Sequence, residues 1–245
     1  MMWRVTTLIR KRAGVPQRQF EHEWIDVVAP AIGERVARDG RATRVIVNIA
    51  PDDLDEAVSD VFPPAYDGLI EFWFDTPEDA VAAMAGLGAD EDLRSLAEPI
   101  VDGAGGVAWL SKVVPSKPEQ GTRVKFLAAG EVAHGVSLED AHRYWGEQHP
   151  RVAQTAPQVW GPLTRYTQFH GVPQPSLEMG DWLAAPRFVP MCSDMGFAQA
   201  QDFLRVYTSE EYARVVRPDE EKFSRPGEML SFVSGEERLL ADVRA

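Results

Sequence analysis

Residues 14–24 read GVPQRQFEHEW and residues 135–145 read GVSLEDAHRYW, so two stretches 121 residues apart open with Gly-Val and close with Trp. Sliding the chain along itself at that offset, without gaps, brings Gly40 onto Gly161, Thr43 onto Thr164 and Arg44 onto Arg165. Six of the 36 positions from 14 to 49 are then identical, where ordinary residue frequencies give about two. A chain of 245 residues that echoes itself near its midpoint is read as two copies of one unit.

The elements around each copy follow one order. In the first, WRVTTLIRK (3–11) alternates and is rich in β-formers. A helix runs from Pro16 to about Arg38, with Pro16 near its first turn and Gly40 as its stop. TRVIVNIA (43–50) and DGLIEFWFD (67–75) read as strands, and TPEDAVAAMAGL (76–87) as a helix with a Thr cap. A further helix over 90–100 and a strand over 105–114 complete a β-α-β-β-α-β unit, the ferredoxin-like order. PSKPEQG (115–121) reads as a linker. The second unit, 122–245, repeats the order with strands at 122–129, 164–170, around 187–194 and 227–234, and helices from Ser137 and from about 197. Both copies carry a long Pro-rich, acidic insertion before the third strand, at 51–66 and 171–187. Loops of that length are lids or disordered segments. A lone sheet of this kind leaves one face bare, so two copies are expected to pack sheet to sheet. The fold class is α+β, with repeats 1–114 and 122–245 fused into one pseudo-dimeric α/β barrel.

Composition narrows the function. The formal net charge is −13, which argues against a general positive field for nucleic acid or an anionic membrane. Cys192 is the only cysteine, so no internal disulfide forms. No signal-type leader and no run of 18 apolar residues is seen. The expectation is a cytoplasmic protein, either a monomer that pairs internally or a homodimer, whose partner is a small molecule.

The copies disagree in one place. The second strand of the first copy presents Val45, Val47 and Ile49 on one face; the second copy has Tyr166, Gln168 and His170 there, and His149 replaces Val28 on the helix. These four exchanges turn a packed core into a polar cavity between helix and sheet. His149 shares a helix face with Trp145, four residues earlier. His149, Tyr166 and His170 are the candidate catalytic groups: a base near neutral pH, a donor to a developing enolate oxygen, and a second acid or base. Trp145 and Trp182 are candidate flat surfaces for a substrate ring, and Gln168 a candidate for orienting it. Trp145 also matches Trp24, which points to packing. His22 and His142 are expected to be solvated. Burial and a helix C-terminus before Pro150 act on His149 in opposite directions.

A strand followed by YWGEQHP (144–150), with YDGLIEFWFD (66–75) and RPDEEKFSRP (217–226), resembles the EthD-type proteins of the dimeric α/β-barrel superfamily, over nearly the whole chain as two tandem copies. The resemblance implies a cleft between helices and sheet in each unit. It carries the helix histidine onto His149 only, since position 28 is Val, and SDMGF (193–197) is all that remains of the third-strand signature in the second copy. It also implies a range of chemistry: cofactor-free cyclases, lactone isomerases, quinone-forming monooxygenases and haem-dependent enzymes. The expected activity is a cofactor-independent lyase, isomerase or cyclase acting on a small carbonyl-bearing, aromatic or polyketide-like substrate. A cofactor-free monooxygenase and a non-catalytic binding barrel are the alternatives. No cofactor is expected, because no basic cluster stands near either histidine for haem propionates and no third metal ligand is evident.

Overall fold

The computed structural model describes residues 1–50, 56–62, 65–173, 177–225, 230–235 and 237–242. The first unit holds β1 (Trp3–Ile9), β2 (Arg44–Ile49), β3 (Gly68–Phe74) and β4 (Val107–Lys117). Its crossover is α1 (Gln17–Glu23), a π-helical turn (Trp24–Val28) and α2 (Ala29–Asp39). Further on come α3 (Glu56–Val61) in the insertion, then α4 (Pro77–Gly88) and α5 (Glu91–Ala97). The ends are set locally: Gly40 stops α2 with φ 75°, and the Thr76 side chain accepts from Asp79 N to start α4.

The second unit holds β5 (Val124–Val132), α6 (Leu138–Glu147), α7 (His149–Gln154), α8 (Pro157–Trp160) and β6 (Arg165–Gly171). After them come β7 (Ala185–Pro186), β8 (Met191–Phe197), α9 (Ala200–Tyr207), a π-helical turn (Tyr212–Val216) and α10 (Arg217–Glu220). Three strands end the chain: β9 (Ser224–Arg225), β10 (Ser231–Ser234) and β11 (Arg238–Asp242).

The strand order is β4-β1-β3-β2 in the first unit and β10-β5-β8-β6 in the second, the same order twice. Between them β4 passes from β1 to β6: its first half pairs with β1 and its second half, from Ser111, with β6. On the other side β11 pairs with β2. β10 and β11, consecutive in the chain, stand at opposite ends of this order, and Ser234 Oγ of β10 donates to Asn48 Oδ1 of β2 at 3.1 Å, so the two ends of the sheet lie close together. The fold is the expected α+β pair of ferredoxin-like units. Among the described residues no helix is long and apolar enough to cross a membrane.

Three boundaries differ from the sequence reading. The linker at 115–121 is partly strand, since Pro115 and Lys117 lie opposite Thr167 and Tyr166 with a register shift between them, as suits a residue without an N–H. The third strand of the second unit starts at Met191, later than expected, and β7 runs parallel to β4 before it. β11 was not expected at all; the start of the anticipated 227–234 strand lies outside the described residues.

The barrel interior holds Leu8, Leu69, Trp109, Leu127, Phe169 and Phe232, together with a charge cluster. Glu71 accepts from Arg4 Nη1 and, at 2.8 Å on each oxygen, from Lys125 Nζ. Lys125 also meets Glu237 at 2.7 Å, and Arg165 meets Asp194 at 3.0 Å and Glu237 at 2.8 Å. Arg4 and Lys125 correspond at the repeat offset. Burial opposes charge on Lys125 and on Glu237. The surrounding partners outweigh it, raising the lysine above its ordinary range and holding Glu237 well below the usual carboxylate range.

The insertions cross over. Leu177, Met179 and Trp182, from the second unit, are buried in the core of the first beside Trp24, Val28 and Val45. Their backbone passes close to α4: a side chain at Gly88 would meet Gly180 N at 2.5 Å. In return Val58 and Phe62, from the first insertion, are buried with Phe126 and Phe203 of the second unit. Residues 51–55, 63–64 and 174–176 of these loops lie outside the described residues.

Glu71→Ala leaves Arg4 and Lys125 in the dry interior without their shared carboxylate. It is expected to lower stability by about 3–5 kcal/mol, measured by urea denaturation. A loss below about 1 kcal/mol would mean that the cluster is solvated.

Candidate active site

The helix–sheet space differs between the units as the repeat comparison indicates. In the first unit it is packed; in the second it is a cavity of about 290 Å³ lined by His149, Trp145, Tyr166 and Glu220, with mostly aromatic and small residues around them. The opening is produced by exchange of side chains. At the offset of 121, Ile9 becomes Gly130 and Thr7 becomes Ala128. Across the β1–β3 and β5–β8 registers, Ile70 corresponds to Ser193. Gly130, Ala128 and Ser193 all line the cavity. In the first unit Met179 Sδ lies 4.0 Å from Thr7 Oγ1, filling the place that stays open beside Ala128.

His149 is the first residue of α7. Ser137 caps α6 by accepting from Asp140 N at 3.0 Å. The helix then breaks at Gln148 and resumes with Pro150 in the first turn of α7, so the anticipated C-terminus before Pro150 is a one-residue joint. It turns the imidazole inward. Its Nδ1 lies 2.9 Å from Asp219 Oδ2. Asp219 is held from the other side by Tyr144 Oη at 2.5 Å and Lys222 Nζ at 2.9 Å, both on Oδ1. Burial would raise this carboxyl, but hydrogen bonds from His149, Tyr144 and Lys222 bring it down to about 2. An ionised Asp219 accepts, so His149 donates from Nδ1 and presents Nε2 as the basic nitrogen.

Glu220, next along α10, lines the same cavity. Burial raises its carboxyl, although His149 and the Tyr212 hydroxyl, which donates to it at 2.9 Å, act against this. The cavity therefore sets a base beside a carboxyl that holds its proton more readily than usual. Tyr166 accepts from Trp145 Nε1 at 3.0 Å. Burial raises its phenol, keeping it a neutral donor.

Two predicted residues stand behind the cavity wall. Gln168 donates to the Trp145 carbonyl at 2.8 Å, and its Oε1 accepts from His170 Nε2 at 3.1 Å. The His170 ring stacks on Trp145 at 4.9 Å. Burial, then His142 and Lys112, lower His170 to about 3. His170 is therefore a neutral donor that braces Trp145, and its expected role as acid or base is withdrawn. Gln168 holds the Trp145 backbone and is not among the residues lining the cavity. Trp182 is corrected too: it lies in the core of the first unit, with Nε1 donating to Gly88 O at 3.2 Å. His142 is half-buried rather than solvated and donates from Nε2 to Pro190 O at 2.8 Å.

Asp219 and Glu220 were not among the sequence candidates, although both lie in the quoted RPDEEKF run. Two arginines line the cavity as well, Arg217 and Arg225. Arg217 is engaged by Glu220 at 3.7 Å and Glu221 at 3.4 Å, and Arg225 Nε donates to Val132 O at 3.2 Å. Among the described residues no group of three or more His, Cys, Asp or Glu could hold a metal ion.

His149→Val, which restores the residue of the first copy, should cost about 1–3 kcal/mol, because Asp219 keeps Tyr144 and Lys222; thermal unfolding at pH 7 checks this. Histidine NMR is expected to show the His170 ring neutral, with its proton on Nε2, down to pH 5. Titration of that ring between pH 5 and 7 would contradict its buried bracing role.

The EthD domain family matches residues 133–227, a span that contains Trp145, His149, Tyr166, Asp219 and Glu220. No curated protein matches the sequence. Among solved structures, the chain is similar to an anthrone oxidase-like protein at 12% identity, covering 100% of this chain and 95% of that chain, with a TM-score of 0.61. It is similar to a candidate chlorite dismutase at 12% identity, covering 99% and 96%, with a TM-score of 0.55. A variant of the chlorite dismutase from Candidatus Nitrospira defluvii matches at 10% identity, covering 99% and 93%, with a TM-score of 0.51. At such identities the likeness is one of fold. Residues 133–227 thus match the EthD domain family, and the chain as a whole has the fold of the dimeric α/β barrels, with two ferredoxin-like units in one polypeptide.

Proposed function

We propose that the second unit is a cofactor-independent lyase, isomerase or cyclase that moves a proton on a small carbonyl-bearing aromatic substrate. The observation that carries this reading is the Asp219–His149 pair: Nδ1 is held at 2.9 Å by an ionised carboxylate, which leaves Nε2 to a cavity walled by aromatic rings. In the proposed step His149 Nε2 takes a proton from the carbon beside the substrate carbonyl. The electron pair moves onto the carbonyl oxygen, and the Tyr166 hydroxyl donates a hydrogen bond to it. Proton return to a different atom gives isomerisation; attack of the carbanion on a second carbonyl gives ring closure. Trp145 and Phe223, whose rings stack at 6.3 Å, offer the flat surface for the substrate ring.

The same base in the same aromatic enclosure also supports a second reading, a cofactor-free monooxygenase in which the carbanion meets dioxygen. The two share their first step and part at the second.

The test follows α-hydrogen exchange of 2-tetralone in D₂O by NMR, alongside an oxygen electrode and a visible spectrum of the purified protein. The parent is expected to accelerate exchange, and His149→Gln to lose about 10²–10⁴-fold of that acceleration. Asp219→Asn should lose much of it through the wrong imidazole tautomer. Exchange that is indifferent to His149 would overturn the proposal. Oxygen uptake coupled to exchange would select the monooxygenase, and a Soret band would replace both readings with haem chemistry.

A further inference from the structure

Behind His149 and Tyr166 lies a second, smaller cavity of about 50 Å³. It adjoins the main one at shared residues: His149, Tyr166, Ser193, Tyr207, Tyr212 and Glu220 line both. Its remaining wall is apolar, made chiefly of Ala153, Val159, Leu163, Met195, Val206 and Val216. Several polar groups on the shared rim are already engaged. Tyr212 Oη donates to Glu220, Tyr207 Oη points to Met195 Sδ at 3.6 Å, and His149 Nδ1 is on Asp219. The annex therefore has a polar mouth at the shared rim and an apolar far wall that suits hydrocarbon.

The repeat comparison shows how this space arises. Ile32, fully buried in the first unit, corresponds to Ala153 at the offset of 121. Phe72 on β3 corresponds to Met195 on β8 through the same strand registers that relate Ile70 to Ser193. At both positions the second copy carries the smaller or more pliable side chain. A water-sized group needs about 10–15 Å³ on this measure, so the annex admits a few heavy atoms and no ring.

We propose that the annex is a subsite for a short alkyl arm of the substrate. The carbonyl is then held between the two cavities at His149 and Tyr166, and the aromatic ring lies in the larger one. This rests on the acid–base reading of the site and sharpens its substrate class to aryl alkyl ketones or the equivalent acyl-substituted rings, with an arm of about two to four carbons.

The experiment measures binding of acetophenone, propiophenone and butyrophenone to the intact protein by isothermal titration. Each added methylene that enters the annex should tighten binding by about fourfold. Ala153→Ile, which restores the first-copy residue, should leave acetophenone binding unchanged and flatten the series. Val206→Leu narrows the same space from α9 and gives a second variant should Ala153→Ile unfold, with thermal unfolding as the control for both. His149→Gln should keep the rising series even where proton exchange is lost, so failure of the chemistry and failure of the subsite are read separately. A parent that binds none of the ketones, or binds all three alike, overturns the subsite. So does an unchanged slope in folded Ala153→Ile and Val206→Leu variants.

Discussion

Glu71 is in contact with cations from both halves of the chain, Arg4 from its own unit and Lys125 from the other. The bare faces of the two sheets bury each other, and charge placed in that interior survives only beside opposite charge. The pairing therefore works as a register mark. A slip of one residue along β1 or β3 would turn Arg4 or Glu71 toward the helices and leave the others stranded. With the register fixed, β4 meets β6, β11 meets β2, and each insertion arrives over the opposite unit.

The two helix–sheet clefts then have different fates for reasons that can be named. The first is filled by its own Ile9, Ile32 and Phe72 and by Met179 and Trp182 from the other unit. The second has lost bulk at the matching positions, and Phe62 covers it only from one side, packed edge-on against Phe126 and Phe203. One copy supplies rigidity, and the other carries a polar pair that a fully packed core would not accommodate. Duplication made this division affordable in folding terms, because the stability of the barrel does not hang on one cleft alone.

Much of this was legible in the residues. The repeat at Gly14 and Gly135 gave the two units, the period of the strands gave their order, and the exchange of Val28 and Val45 for His149 and Tyr166 located the cavity. What failed shared one cause. A β-strand places alternate residues on one face, so Tyr166, Gln168 and His170 were grouped correctly; which of them reaches the opening depends on how far Trp145 covers the strand, a tertiary matter. Nothing local in the sequence places Trp182 in the first unit, because the crossing of the insertions has no local signature. Asp219 was in plain view in RPDEEKF, but its partner His149 is 70 residues earlier, and no period links them. β11 has no counterpart in the repeat, since it belongs in pairing to the first unit and in sequence to the second.

The crossed insertions also bear on how the chain is made. By the time β4 leaves the ribosome the first unit has all its own strands, yet Met179 and Trp182 lie about 60 residues further on. At about 5–20 residues per second, their synthesis follows after several seconds. Throughout that interval the nascent first unit shows water the apolar cleft that those side chains later occupy. A holdase that shields such a surface would find its target in the early half of this protein, which is the half without the His149–Asp219 pair.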